Sequence, residues 1–261
     1  MQRKLARLRR APLNFDRAEL VEQPDRWNRD ERLQPLPPEP PGPPQPDGSW
    51  EIARRLMRGY EFADPSIVRA HYDRDAPLEG RDMLLEVRFH GLRMYEGCRI
   101  TKVFDRTDHE SGRPVRLWGW SYATLQGHFE QGEMSWEVLK WLDTGEVAFR
   151  VRAHSRRSPD ADPIQRLGFR LFGRREQLRF YDSSCERMRR LTEEALRGGP
   201  RGSGIRRVAR ETTVRRSPRD EAIHDELARN VARDDGWTRE RSHGDALTRT
   251  PRTLADDSST S

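Results

Sequence analysis

Between residues 83 and 155, apolar side chains return at every second position; beyond residue 162 they return at every third or fourth. The first period is that of a half-buried strand, the second that of an amphipathic helix. The first stretch predicts five strands. MLLEVRFH (83–90) sets Leu85, Val87 and Phe89 against Glu86, Arg88 and His90. MYEGCRITKVFD (94–105) is the second, with Gly97 as a bulge. In VRLWGWSYATL (115–125), Trp118, Trp120, Tyr122 and Thr124 share one face. Leu117, Gly119, Ser121, Ala123 and Leu125 share the other. QGHFEQGE turns the chain, and MSWEVLKWL (134–142) follows with Trp136 and Trp141 on opposite faces. DTG is a hairpin signal before EVAFRVRAHS (146–155).

The helical stripe comprises Ile164, Leu167, Leu171, Leu178, Tyr181, Cys185 and Met188. Asp162 is its cap, Pro163 its first residue, and GGPRGSG its stop. Gly168 and Gly173 mark a kink or a close approach to the sheet. Two short helices are predicted upstream. GSWEIARRLMRGY has Ser49 as cap, with Ile52, Leu56 and Met57 on one face, and DPSIVRAHY has Asp64 as cap before Pro65. Strands joined by short turns, then one long amphipathic helix, predict an α+β domain over residues 49–196. Its twisted antiparallel sheet of at least five strands grips the C-terminal helix. A closed β-barrel is the rival, although small barrels usually need about eight strands.

Both ends differ from this centre. Residues 1–48 are polar and proline-rich, closing on LQPLPPEPPGPPQPDG, which is extended and serves as a linker or a strap against the domain. MQRKLARLRR is basic, but no apolar segment follows, so it is a polar terminus or short basic arm rather than a secretory signal. Residues 197–261 lack clustered apolar side chains and are expected to be a disordered charged tail, with RDEAIHDELARNVAR (219–233) a transient helix.

Composition fits a folded centre with polar ends. Hydrophobic residues make up 33% of the 261 and charged residues 35%. The formal charge of +6 comes from Arg interspersed with acids, so no single-sign stripe forms and no specific nucleic-acid partner is expected. Cys98 and Cys185 have neither a metal spacing nor a disulfide pattern; they are expected as buried small hydrophobes in a cytoplasmic protein. No run of 18 apolar residues predicts a transmembrane helix.

The blocks GSW, GYEFADP, LEGRDMLL, RFHGLRMYEGCRI, WGWSYATLQGHFEQGEMSWEV, TGEVAFRVRAHSR and LGFRLFGRREQLRF occur in this order. Together they resemble the domain-of-unknown-function 1990 family, a group of uncharacterised bacterial and plant proteins. The resemblance covers roughly residues 25–193; its most specific piece runs from Tyr122 to Glu133. It implies a pattern similar to helix-grip ligand-binding domains. It implies no catalytic residues, because the family has none established.

The chemistry concentrates in residues 118–136. Trp118, Trp120, Tyr122 and Thr124 either line a ligand cavity under the long helix or are plain core. His128, Glu130 and Glu133 suggest proton transfer, or belong to a hairpin whose Gly127 and Gly132 supply positive φ. They form a loose pattern, and no metal site or cofactor is assigned to them. His90 and His154 fall on polar strand faces, and Arg174, Arg175 and Gln177 on a solvated helix face, unless turned into a cavity to meet an anionic group. Three functions follow. The leading one is binding of a small, largely apolar ligand between sheet and helix. The second is a cofactor-independent enzyme, a hydrolase, cyclase or isomerase using His128 with Glu130 or Glu133. The third is a non-enzymatic interaction protein acting through its proline-rich and Arg-rich ends. Oligomeric state is not read from the sequence.

Overall fold

The computed structural model describes residues 2–89, 92–159 and 163–198. The chain begins with helices α1 (Gln2–Leu8) and α2 (Glu19–Glu22), then strand β1 (Asn28–Leu36), helix α3 (Ser49–Arg58) and strand β2 (Val68–Tyr72). Strands β3 (Asp82–Phe89), β4 (Leu92–Glu110), β5 (Arg113–Thr124), β6 (Glu130–Trp141) and β7 (Val147–Arg157) follow, and helix α4 (Pro163–Arg197) closes the described part. The expectations at His90, at Asp162 and for the tail beyond residue 198 lie outside the described residues. So do those resting on the side chains of Phe89, Ile164, Leu167 and Leu171, and on Gly168 and Gly173.

All seven strands form one antiparallel sheet in the order β1-β7-β6-β5-β4-β3-β2. The order is linear, so β1 and β2 remain edges and the rival barrel is overturned. Alternation places Met83, Leu85, Cys98, Trp118, Trp120, Tyr122, Trp136, Val138, Phe149 and Val151 in one core, covered by α3 and α4. Each large side chain buried there contributes roughly 1.5–3 kcal/mol. From α4 come Tyr181, Cys185 and Met188, with Leu178 packed partly buried against them, as the stripe predicted, and also Phe180 and Leu191, which lay outside it. The opposite face carries smaller clusters: Leu8 with Leu84 and Leu125, and Val115 and Leu117 with Leu139. Trp141 joins this second face while Trp136 lies in the first, as their parity required.

The structure corrects four expectations. The stretch after Asp64 is a strand. Asp64 does cap a turn, its Oδ1 accepting from the Ser66 amide at 2.8 Å, but Val68–Tyr72 alternates and pairs with β3. Residues 28–36 lie in the stretch whose composition predicts a polar arm, yet they form an edge strand, so the sheet begins well before residue 49. Pro35 is tolerated there because an edge strand has one side without ladder bonds. The bulge is at Thr101, between Ile100 and Lys102, not at Gly97. Gly97 instead admits α1: a Cβ at that position would lie 2.6 Å from Leu8 Cδ2. Arg99 fixes the same docking, donating to the carbonyls of Leu8 at 2.6 Å and Ala11 at 3.3 Å. Finally, α3 begins after Gly48, and Ser49 makes no capping bond. The free amide of Trp50 donates to Glu39 Oε1 at 2.8 Å, so the proline-rich segment caps the helix.

That segment is a strap. The Glu39 amide donates to the Gly145 carbonyl at 2.9 Å, and the Gly42 amide to the Leu142 carbonyl at 2.7 Å. Gly145 is required here, because any Cβ would collide with the Glu39 carbonyl.

Candidate functional site

The β5–β6 turn occupies residues 125–129 and ends four residues earlier than its sequence suggested, because β6 starts at Glu130. Gly127 sits at φ +91°, a conformation glycine adopts without strain. Asn14 threads between the strand ends and holds them together. Its Nδ2 donates to the Glu130 carbonyl at 2.8 Å, its carbonyl accepts from Gln131 Nε2 at 2.5 Å, and its Oδ1 accepts from Thr124 Oγ1 at 2.6 Å. Thr124 Oγ1 also accepts from the Gly132 amide at 2.9 Å. Thr124 is therefore consumed by the hairpin and has no hydroxyl left for a ligand.

His128, Glu130 and Glu133 do not form one centre. His128 is buried, and its Nδ1 accepts from the Glu130 amide at 3.0 Å while lying 3.8 Å from Glu96 Oε2. Burial, against the pull of that hydrogen bond, lowers its pKa to about 3. The ring is neutral at ordinary pH and its Nδ1 is already used, so it is a weak base. Glu133 points to the other face of β6 and pairs with Arg17. Glu130 alone faces α4, where Gln177 Nε2 donates to its two oxygens at 3.2 and 3.3 Å. Burial pushes its carboxyl up to about 7, partly offset by the Arg174 charge and reinforced by Asp30. Gln177 also donates to Ser155 Oγ at 3.1 Å, and its Oε1 accepts from Arg174 at 2.8 Å, which fixes the amide with its nitrogen toward Glu130. Arg174 itself pairs with Asp30. Among the described residues Glu130 has no ion-pair partner, and no three His, Cys, Asp or Glu side chains are grouped to hold a metal.

The tryptophans divide. Trp118 packs under α3, with the Arg54 guanidinium 5.9 Å from its ring. Trp120 and Trp136 are covered by Tyr60 and Phe62; the Phe62 and Trp136 rings are 4.4 Å apart. This part of the face is packed core. Its polar atoms, however, are not satisfied. Trp120 Nε1, Trp136 Nε1, Tyr181 Oη and Ser184 Oγ are buried with no hydrogen-bond partner among the described residues. The Tyr60 and Tyr122 hydroxyls meet each other, and Tyr122 Oη also donates to Met134 Sδ at 3.3 Å, a weak acceptor. The rings of Tyr60 and Tyr122 flank Trp120 at 6.0 and 5.9 Å. Burial raises all three phenols, so each remains a neutral donor. Burial, then the charges of Glu96 and Glu130, likewise raise Cys98.

Sequence reasoning did not single out Tyr60, and it placed Tyr181 in the helical stripe. No periodic signal marks Tyr60, which lies in a loop at φ +57°. Gln177 was noted on the helix, and the structure turns it inward. His154 is half-buried opposite Glu133 in the β6–β7 register.

The profile of a domain of unknown function (DUF1990) matches residues 15–186. No curated protein matches the chain. Three solved structures are similar at low identity. The Zhui aromatase/cyclase from Streptomyces sp. R1128 is 13% identical, with 68% of this chain and 99% of that chain covered and a TM-score of 0.38. A norcoclaurine synthase point mutant from Thalictrum flavum is 10% identical, over 64% and 96%, with a TM-score of 0.38. The major latex-like protein 151 from Panax ginseng is 10% identical, over 63% and 96%, with a TM-score of 0.35. Likenesses at this level say nothing of what this chain binds.

Proposed function

We propose that this chain, which belongs to the DUF1990 family, binds a small, largely apolar ligand carrying acceptor oxygens in the space between its sheet and α4. One observation carries the reading: Tyr181 Oη is buried with no acceptor among the described residues, and the hydroxyls of Tyr60 and Tyr122 have only each other and the Met134 thioether. A buried hydroxyl left unpaired costs about 1–3 kcal/mol, and an apolar site with a few such donors is the usual make-up of a ligand pocket. Indole N–H groups only donate, and the phenols remain protonated, so the complementary ligand supplies acceptors such as carbonyl or ether oxygens. The proline-rich segment is bound by its own domain through Lys140, Leu142 and Gly145, which weakens the interaction-protein reading. Among the described residues no helix is long and apolar enough to cross a membrane.

Native mass spectrometry of the purified chain, followed by denaturing spectra, tests the proposal. A small molecule released on denaturation, or saturable quenching of tryptophan fluorescence by an apolar ketone, supports it. An apo mass together with no quenching by such ketones overturns it.

A further inference from the structure

The interior contains one group that ligand binding alone does not need. Glu130 is a half-buried carboxyl on the α4 side of β6, held by a single neutral amide among the described residues, and Arg174, the cation that acts on it, is paired to Asp30. A carboxylate placed merely to stabilise the fold would be expected to carry a cation or several N–H donors. Tyr181 lies one helical turn beyond Gln177, on the same face of α4 that meets Glu130; it is fully buried, and its hydroxyl has no partner among the described residues. After burial itself, the Glu130 charge is the strongest influence on that phenol. An uncompensated carboxyl next to an unspent neutral donor is the pairing that proton abstraction beside a carbonyl requires. The carboxylate takes the proton, and the hydroxyl stabilises the oxygen on which charge develops.

We propose that Glu130 is a proton-transfer residue acting on a bound carbonyl compound, with Tyr181 Oη donating to the carbonyl oxygen. This rests on the binding reading above. In the step, Glu130 carboxylate removes a proton from the carbon next to the carbonyl. The C–H electron pair becomes a carbon–carbon double bond, and the carbonyl π pair moves onto oxygen, which Tyr181 holds. The Glu130 carboxyl then returns the proton to that oxygen or to another carbon of the enolate. The product is an isomer of the ligand; nothing is oxidised or reduced, and the residue is regenerated. A carboxyl that is half-protonated near pH 7 both takes and gives the proton efficiently.

The probe is 2-tetralone, an apolar aromatic ketone. Its binding is read from tryptophan quenching, and exchange of its C1 protons in deuterated buffer from NMR, with wild type, Glu130→Gln and Tyr181→Phe. The expected result is protein-dependent exchange that falls roughly 100-fold or more in Glu130→Gln while binding persists. Tyr181→Phe is expected to lower exchange without moving its pH profile. In the wild type, exchange should rise with pH through about 7. The groups around the Glu130 carboxyl are Asp30 from β1, Cys98 from β4, Ser155 from β7, and Arg174, Gln177 and Tyr181 from α4; His128, with Glu96 3.8 Å from it, bonds the Glu130 amide. Binding without exchange, exchange unchanged in Glu130→Gln, or a midpoint near an ordinary carboxyl value overturns this proposal and leaves binding intact. Absence of saturable binding overturns both. The wild-type profile does not depend on whether a variant folds.

Discussion

Lys140 Nζ lies 2.7 Å from Glu39 Oε2, and neither side chain is open to solvent. The pair joins the proline-rich strap to the middle of the sheet. Glu39 is saturated: its second oxygen takes the Trp50 amide, and Oε2 also takes the Gln45 amide at 2.9 Å. Removing one partner strands a buried charge. Lys140→Met is therefore expected to lower stability by about 3–5 kcal/mol. Urea denaturation followed by tryptophan fluorescence would measure it, and a loss below about 1 kcal/mol would show that the strap does not depend on this pair.

Asn14 precedes the first residue of the family match, yet it makes the bonds that keep β5 and β6 together at the turn. Asn14→Ala leaves Thr124 Oγ1 only the Gly132 carbonyl at 3.3 Å and removes the side-chain donor to the carbonyls of His128 and Glu130. A cost of about 1–3 kcal/mol is expected, with amide exchange accelerated at residues 124–132 before the rest of the sheet. Uniform acceleration across all strands would contradict a local role.

The buried His128 and the half-buried Glu130 make stability depend on pH in opposite directions. His128 titrates near 3 in the fold and near 6.5 in the unfolded chain, so between those values the unfolded state binds more protons. Stability there rises with pH. Glu130 titrates near 7 in the fold and near 4.5 unfolded, so between those values the folded state binds more protons and stability falls as pH rises. The alkaline loss attributable to Glu130 is roughly 3 kcal/mol at most. Maximum stability is expected between about pH 5 and 6.5. Glu130→Gln should flatten the alkaline limb selectively, as read from Tm across pH.

Replacing an unpaired buried hydroxyl removes a cost instead of a bond. Tyr181→Phe should leave stability unchanged or raise it by up to about 1 kcal/mol, and weaken binding of an oxygen-bearing ligand about ten-fold. A loss of about 1 kcal/mol or more in the free protein would mean that the hydroxyl already has a partner.

Much of the sheet was legible because its alternation is strong. Leu85 and Val87, Trp118 through Tyr122, and Phe149 and Val151 all lie where parity placed them. The edge strands were not. In β1 the exposed Leu33 and Pro35 near the strand's end hide the period, since only one neighbour and part of one face are covered. In β2 the Asp64-Pro65 cap announces a helix that a single turn satisfies before β3 captures the following residues. The site was half visible. Types and spacing picked out Tyr122, His128 and Glu130, but not that Glu133 faces away or that His128 spends its nitrogen on a backbone amide. Tyr60, Gln177 and Tyr181 reach the same interior through long-range packing, which no local pattern encodes.

The sheet order sets the first strand beside the last: Asn28 pairs with Ser155, and Leu36 with Val147. During synthesis, β1 leaves the ribosome with no partner and must wait for more than a hundred residues to follow. Loop closure over that span is slow. The nascent chain must therefore keep Asn28–Leu36 unpaired for most of its translation, and the charged, weakly apolar composition of that strand suits it to the wait.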